Sequence, residues 1–346
     1  MNLPVAPITL SKSEEEALSE LYRRGTPENT LRAWERDLVY ITAWKAAAFD
    51  APLLWPEQES VALRFILDHA ADLTSAEGTP ARDVADALIA AGIRRSLECP
   101  SPATLDRRIA SWRAFHRMKN LTSPFDAPLI RQARGRARRA AARPRARKSE
   151  HPITRDVLEA MLKTCDHSHR GMRDRAALML GWGSGGRRRS EIVGLNRDDI
   201  DDREFGDTGI LRIRLLTTKT TGRDNAPRLP LKGRAARAVM AWIAAARIKD
   251  GPLFRPVSLA DRPLPRRLTP DGFRTIVRHR LELAGYPGDF ASPHGLRSGF
   301  LTQAALDGAP LPAAMQLSLH RNANQAQQYY ADVEITENPA TNLLGD

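Results

Sequence analysis

A chain of 346 residues exceeds what one ordinary core organises, so two domains are the natural expectation. The composition has no apolar run of membrane-spanning length and no secretory pattern, and its two cysteines, Cys99 and Cys165, lie too far apart for a disulfide framework or a zinc site, so a cytoplasmic protein is expected. The net charge of +12 is clustered, which points to a polyanionic partner rather than to solubility alone.

Residues 1–10 carry proline and little pattern, and a flexible arm is expected there. From Ser11 the chain turns helical, with Glu14, Glu15 and Glu16 early and Leu18 and Leu21 in period. Pro27-Glu28-Asn29-Thr30 reads as the next helix start. Leu31, Trp34, Leu38, Ile41 and Trp44 follow at helical spacing and predict a core-facing stripe. Further helices are expected around 57–71, 81–91 and 104–119. With strand signals weak throughout, 11–130 is predicted to be a small helical bundle.

The stretch 131–150 differs in kind. Arg131, Arg134, Arg136, Arg138, Arg139, Arg143, Arg145, Arg147 and Lys148 come without an acid until Glu150. Alanine fills most of the gaps and permits helix in part, while Pro144 breaks any long one. A basic interdomain linker that also lies along a phosphate backbone is the expectation.

A second domain is expected over 151–333, followed by a tail, 334–346. Thr154 can cap a helix through Val157, Met161 and Leu162. Arg173 to Trp182 reads as another, ended by Gly183-Ser184-Gly185-Gly186, and a short helix follows within 187–195. Leu211, Ile213 and Leu215 alternate with Arg212 and Arg214 as in a half-buried strand. Residues 217–225 are turn-like, and Arg228-Leu229-Pro230-Leu231 reads as the return strand, confined to an edge by Pro227 and Pro230. Helices are predicted at about 235–248, 269–284, 293–307, 311–319 and 324–330. The fold class is therefore mainly α with a small antiparallel sheet.

Several residues in this second part can do chemistry. His294 and Arg297 stand three apart behind Pro293, on one face of a helix start that favours an anion. His320, Tyr329 and Tyr330 follow. Each is unremarkable alone; their order and spacing carry the argument. Together they resemble the tyrosine recombinase (phage integrase) family across nearly the whole chain, most strongly from Thr154 to Val333. Gly186 to Ile192 matches that family's Gly-x-Arg-x-Ser-Glu-Leu with Ile at the end, which selects Arg188 from three consecutive arginines. Lys219, ahead of Arg228-Leu229-Pro230-Leu231, corresponds to the hairpin lysine. Ser292-Pro293-His294-Gly295-Leu296-Arg297 carries the His-x-x-Arg element. His320 is the second histidine, preceded by Leu319 where Gly is common. Spacing from His320 favours Tyr329 as nucleophile, whereas Ala331-Asp332-Val333 favours Tyr330; Tyr329 is the expectation.

The resemblance implies an N-terminal helical (SAM-like) core-binding domain and a catalytic domain that clamp double-stranded DNA. It also implies a homo-tetramer on two sites, with accessory DNA-bending proteins as further partners. The implied roles are phosphate stabilisation by Arg188, Arg297 and His320, proton acceptance by His294 and leaving-group protonation by Lys219. Glu191 is expected to orient Arg188. No cofactor or metal is implied, and the sequence has neither a phosphate-cradling Gly-rich loop nor a carboxylate cluster spaced for Mg²⁺. A type IB-like topoisomerase and a non-catalytic DNA-binding protein are the rival readings. A metal-dependent relaxase is disfavoured by the unclustered histidines.

Overall fold

In the first part of the chain, apolar helix faces meet around three aromatic side chains, Trp44, Phe65 and Trp112, all essentially inaccessible to solvent. The computed structural model describes residues 11–140, 149–215, 227–320 and 322–331. The arm 1–10, the basic residues Arg143, Arg145, Arg147 and Lys148, the hairpin turn with Lys219, and the tail 334–346 lie outside the described residues. The chain divides into two units, 1–146 and 147–346, each with its own hydrophobic core.

The first unit is helical: α1 (Lys12–Gly25), α2 (Glu28–Phe49), α3 (Glu59–Ala70), α4 (Pro80–Ala90), α5 (Pro102–Met118) and α6 (Pro128–Ala140). Ser11, Thr79 and Ser101 cap α1, α4 and α5 with their hydroxyls. The predicted stripe on α2 is buried only in its second half, at Ile41 and Trp44; Leu31, Trp34 and Leu38 are half-buried. The same face also buries Asp37, Tyr40 and Lys45. Each has a partner, as buried polar groups must. Ser111 Oγ donates to Asp37 at 2.7 Å, Tyr40 Oη meets His69 Nε2 at 2.8 Å, and Lys45 Nζ lies 3.3 Å from Glu57.

One boundary is corrected here. Residues 131–140 were expected to open a linker, yet they form most of α6, which packs on α3 within the first unit. Ile130 is buried in the core, and Arg134 and Arg138 reach Asp106 of α5 at 2.7 and 3.3 Å. Alanine at the gaps leaves the helix cheap to form, and one apolar anchor docks it.

The second unit contains α7 (Arg155–Lys163), α8 (His169–Gly183), α9 (Arg189–Gly194), β1 (Ile200–Asp201), α10 (Phe205–Thr208), β2 (Ile210–Arg214), β3 (Arg228–Lys232), α11 (Gly233–Ala245), α12 (Pro270–Leu283), α13 (Gly295–Leu306), α14 (Leu311–Ser318) and α15 (Ala323–Ala331). The predicted hairpin is β2 with β3, Leu211 opposite Leu231 and Ile213 opposite Leu229. All four are buried, each contributing about 1.5–3 kcal/mol. Pro230 sits on edge strand β3, where its missing N–H costs no ladder bond. The short β1, unpredicted because two residues carry no periodic signal, forms the other edge and makes the antiparallel sheet three-stranded. Helix α8 begins a turn earlier than predicted because Ser168 Oγ accepts from Gly171 N–H at 3.0 Å.

Two devices place the end of α8 beside α13. The Ile153 carbonyl accepts from the Trp182 indole at 2.9 Å, while its N–H donates to Gly295 O at 2.8 Å. On α15, Ala326 is the only side chain among the described residues to be fully buried.

Candidate active site

The site grows from a reversal of the chain at the end of α8. Gly185 and Gly186 take φ of +97° and +69°, which only glycine adopts without strain. The bend also leaves no room for side chains: a Cβ on Gly186 would stand 2.4 Å from Arg297 Cα. The backbone of the arginine run is thereby laid directly against the first turns of α13.

Arg188 precedes α9. Glu191 Oε2 accepts from its N–H at 3.0 Å and Oε1 from its Nη1 at 2.6 Å, so one carboxylate fixes both ends of the residue. The Arg188 side chain is otherwise open to solvent. Arg297 is buried at 3% exposure; Nη1 donates to Gly186 O at 3.1 Å and Nε to His320 Nε2 at 3.2 Å. Burial, reinforced by Arg187 and Arg188, lowers the Arg297 pKa to about 10, so it stays charged.

His320 lies just after α14. Burial first, then the charges of Arg297, Arg188 and Arg187, lower its pKa to about 3, leaving the ring neutral near pH 7. Because Arg297 Nε–H can only donate, Nε2 is the acceptor and the ring proton sits on Nδ1, donating to Ser318 Oγ at 2.7 Å. The sequence reading expected His320 to donate to a phosphate; in this state its Nε2 is instead engaged by Arg297. Leu319, where glycine was the expected type, has φ +54° and caps α14 by donating to Met315 O. That left-handed conformation is why glycine suits the position.

The two tyrosines diverge because successive helical residues point about 100° apart. Tyr329 Oη meets His294 Nε2 at 3.2 Å, and its ring centroid lies 6.4 Å from that of His320. Tyr330 Oη donates to Ala309 O at 3.0 Å, and burial raises its pKa. Arg297, His320, His294 and Tyr329 thus form one connected group, with Arg188 beside it across the glycine bend.

An open cleft of about 470 Å³ fronts the group, lined by Arg188, His294 and Arg297 together with Arg187, Arg274 and Ser292. The sequence reading missed Arg187 and Arg274. Arg187 was hidden in a run of three, and nothing in the spacing of α12 distinguishes Arg274. A cleft floored by guanidiniums suits an oxyanion with several exposed oxygens. Among the described residues no group of three or more His, Cys, Asp or Glu side chains could hold a metal ion, and no helix is long and apolar enough to cross a membrane. Lys219 lies outside the described residues. In the first unit, Arg131, Arg136, Arg138 and Arg139 are exposed on α6, while Arg134 is partly covered.

Known proteins resemble this chain in sequence and in fold. Residues 152–335, more than half of the chain, match the phage integrase family. An integrase/recombinase XerD homolog of Selenomonas ruminantium is 26% identical over 251 residues, 70% of this chain and 72% of that protein. The tyrosine recombinase XerC of Pelotomaculum thermopropionicum is 29% identical over 238 residues, covering 66% and 70%. Among solved structures, the Tn1549 transposon integrase in complex with transposon right end DNA aligns with a TM-score of 0.59 at 16% identity, covering 94% of this chain and 97% of that one. XerH bound to palindromic difH substrate aligns with a TM-score of 0.55 at 14% identity, covering 98% and 86%. At such identities the likeness is one of fold.

Proposed function

Because the chain belongs to the phage integrase family, whose members are tyrosine recombinases that cleave and rejoin DNA, we propose that it performs site-specific recombination through a covalent 3′-phosphotyrosine on Tyr329. The observation that carries this reading is the 3.2 Å approach of Tyr329 Oη to His294 Nε2 beside buried Arg297. In the proposed step Tyr329 Oη attacks the scissile phosphorus of double-stranded DNA. Its proton passes to His294 Nε2, which must then be the unprotonated nitrogen. The P–O5′ bond breaks, and Lys219 returns a proton to the departing 5′ oxygen. Arg188 and Arg297 meet the charge that builds on the non-bridging oxygens, where forked, permanently protonated donors act best. Glu191 holds Arg188 in place. The phosphotyrosine retains the free energy of the broken bond, so attack by a 5′-hydroxyl of a partner strand completes the exchange without ATP or a metal. Two duplexes have to be held together for that exchange. A tetramer on two DNA sites fits the requirement, with the basic stretch 131–148 lying along phosphates.

The test is a nicked duplex that traps the covalent intermediate. Wild type and Tyr330→Phe should form a protein–DNA adduct, and Tyr329→Phe should bind the same DNA without forming one. An adduct that survives Tyr329→Phe and disappears in Tyr330→Phe would move the nucleophile to the neighbouring position. No adduct in any variant would sink the reading.

A further inference from the structure

Arg187 is not among the residues used above, yet it is the most deeply enclosed cation of the site, at 1% exposure. The glycine bend turns it inward: its N–H donates to Gly181 O at 2.7 Å while the side chain runs under the cleft. Nη2 donates to Leu317 O at 2.6 Å and to Gly185 O at 3.2 Å. Leu317 is in the last turn of α14, directly ahead of Ser318 and His320. Gly185 presses on the same peptide, since a Cβ there would lie 2.4 Å from Leu317 O. One guanidinium therefore bridges the segment that presents Arg188 and the segment that presents His320.

The charge is as informative as the bridge. Arg187, Arg188 and Arg297 share one carboxylate, Glu191, which is 2.6 Å from Arg188 but 3.9 Å from Arg187. Arg187 Nε is shielded from solvent and has no hydrogen-bond partner among the described residues. A neutral side chain of the same length would fill the space without leaving a buried donor unsatisfied or adding charge to an already cationic cleft. The electrostatic excess is visible at its neighbours: Arg187 itself is lowered to about 10, mainly by burial, and it contributes to the lowering of Arg297 and His320.

We propose that Arg187 is a positioning residue for strand cleavage. Its guanidinium fastens the Arg188 bend to the His320 end of α14, and its buried charge remains in excess until a phosphodiester occupies the cleft. The proposal rests on the recombinase reading for its role in cleavage, but its electrostatic part is independent of that reading. An oxyanion in the cleft supplies the countercharge that Glu191 alone does not, so the site is charged to receive a phosphodiester.

Arg187→Met and Arg187→Lys in the full chain test this. The side-chain groups facing His320 are Arg297 and His294 at the head of α13, Arg187 and Arg188 on the bend, Tyr329 on α15 and its own neighbour Ser318. In NMR titrations, His320 of Arg187→Met should gain its proton at least about one pH unit above wild type, since one of three nearby guanidinium charges is removed. In Arg187→Lys it should stay close to wild type. Adduct formation at saturating DNA should fall about 10²-fold in Arg187→Met, as for a displacement of about 1 Å at a reacting centre, and Lys should recover most of the loss. Inorganic phosphate should raise the melting temperature of wild type more than that of Arg187→Met. An unchanged His320 titration in Arg187→Met, or a wild-type adduct rate, overturns the proposal. If Arg187→Met does not fold, Arg187→Gln, which can still donate to Leu317 O but carries no charge, decides: a His320 titration shifted above wild type supports the proposal and an unchanged one overturns it. A wild type that forms no adduct refutes the recombinase reading, and the titrations still judge the charge.

Discussion

Gly186→Ala is the sharpest probe of how the bend builds the site. Two costs are readable from the geometry. The first is conformational: at φ +69° an L-residue pays about 1–2 kcal/mol. The second is steric, because the new Cβ would lie 2.4 Å from Arg297 Cα, whereas carbon atoms in contact sit about 3.5–4 Å apart. Either the bend or α13 must shift by about 1 Å, at an overpacking cost of about 1–3 kcal/mol. Gly209→Ala separates the two, since Gly209 has φ +67° but nothing within 4 Å of the added atom. Urea unfolding should therefore show Gly186→Ala losing about 2–5 kcal/mol and Gly209→Ala only the first 1–2. In the nicked-DNA assay Gly186→Ala should be slowed about 10²-fold, equivalent to about 2.7 kcal/mol of barrier, and Gly209→Ala should be near wild type. Equal stability losses together with wild-type cleavage by Gly186→Ala would refute the claim that the bend positions Arg297.

Acid should destabilise the first unit through His69. Burial first, then Arg108, lowers its pKa to about 3 against an unfolded value near 6.5, so the unfolded chain binds more protons between those values. Stability should then be full above pH 6.5 and fall by about 1 kcal/mol per unit as pH drops toward 3, and His69→Gln should flatten that slope in urea titrations. Asp174 lies buried between Arg173 and Arg280, with a 2.8 Å hydrogen bond from each. Asp174→Ala should lower unfolding free energy by about 3–5 kcal/mol, because two enclosed cations lose their countercharge; a loss under about 1 kcal/mol would contradict that account. Replacing Arg131, Arg136 and Arg139 with glutamine should make the salt dependence of DNA binding shallower by up to about 3 in log–log slope, and an unchanged slope would remove α6 from the DNA interface.

Periodic signals in the sequence carried the fold well. The Leu211–Leu215 alternation became β2, and Pro230 fell on an edge strand. The Thr269-Pro270 start became the head of α12, capped by the Thr269 hydroxyl. Residue order and spacing also singled out His294, Arg297, His320 and Tyr329, which lie together in the structure; only the three-residue interval of His294 and Arg297 is helical, at the head of α13. What stayed hidden depended on partners distant in sequence. The buried face of α2 holds Asp37, Tyr40 and Lys45, whose partners Ser111, His69 and Glu57 come from other segments. The basic stretch resembled a linker because its charges masked one anchoring isoleucine, Ile130. The motif singled out Arg188, but Arg187 could not be told from Arg189 until the glycine bend gave them different directions. Which of Tyr329 and Tyr330 faces His294 likewise depends on a partner distant in sequence, since Tyr330 Oη is held by Ala309 O.

Among the described residues helix α15 buries one side chain fully, the Ala326 methyl, worth about 0.8 kcal/mol; its tyrosines add contacts at the helix end, Tyr329 to His294 and His320 and Tyr330 to Ala309 O. Segments so lightly attached open at free energies well below that of global unfolding. In the proposed reaction the Tyr329 phenol acts only while α15 is docked, so turnover would scale with the docked fraction. Contacts that grip or release those nine residues would then set the rate of the proposed reaction without touching an arginine or a histidine.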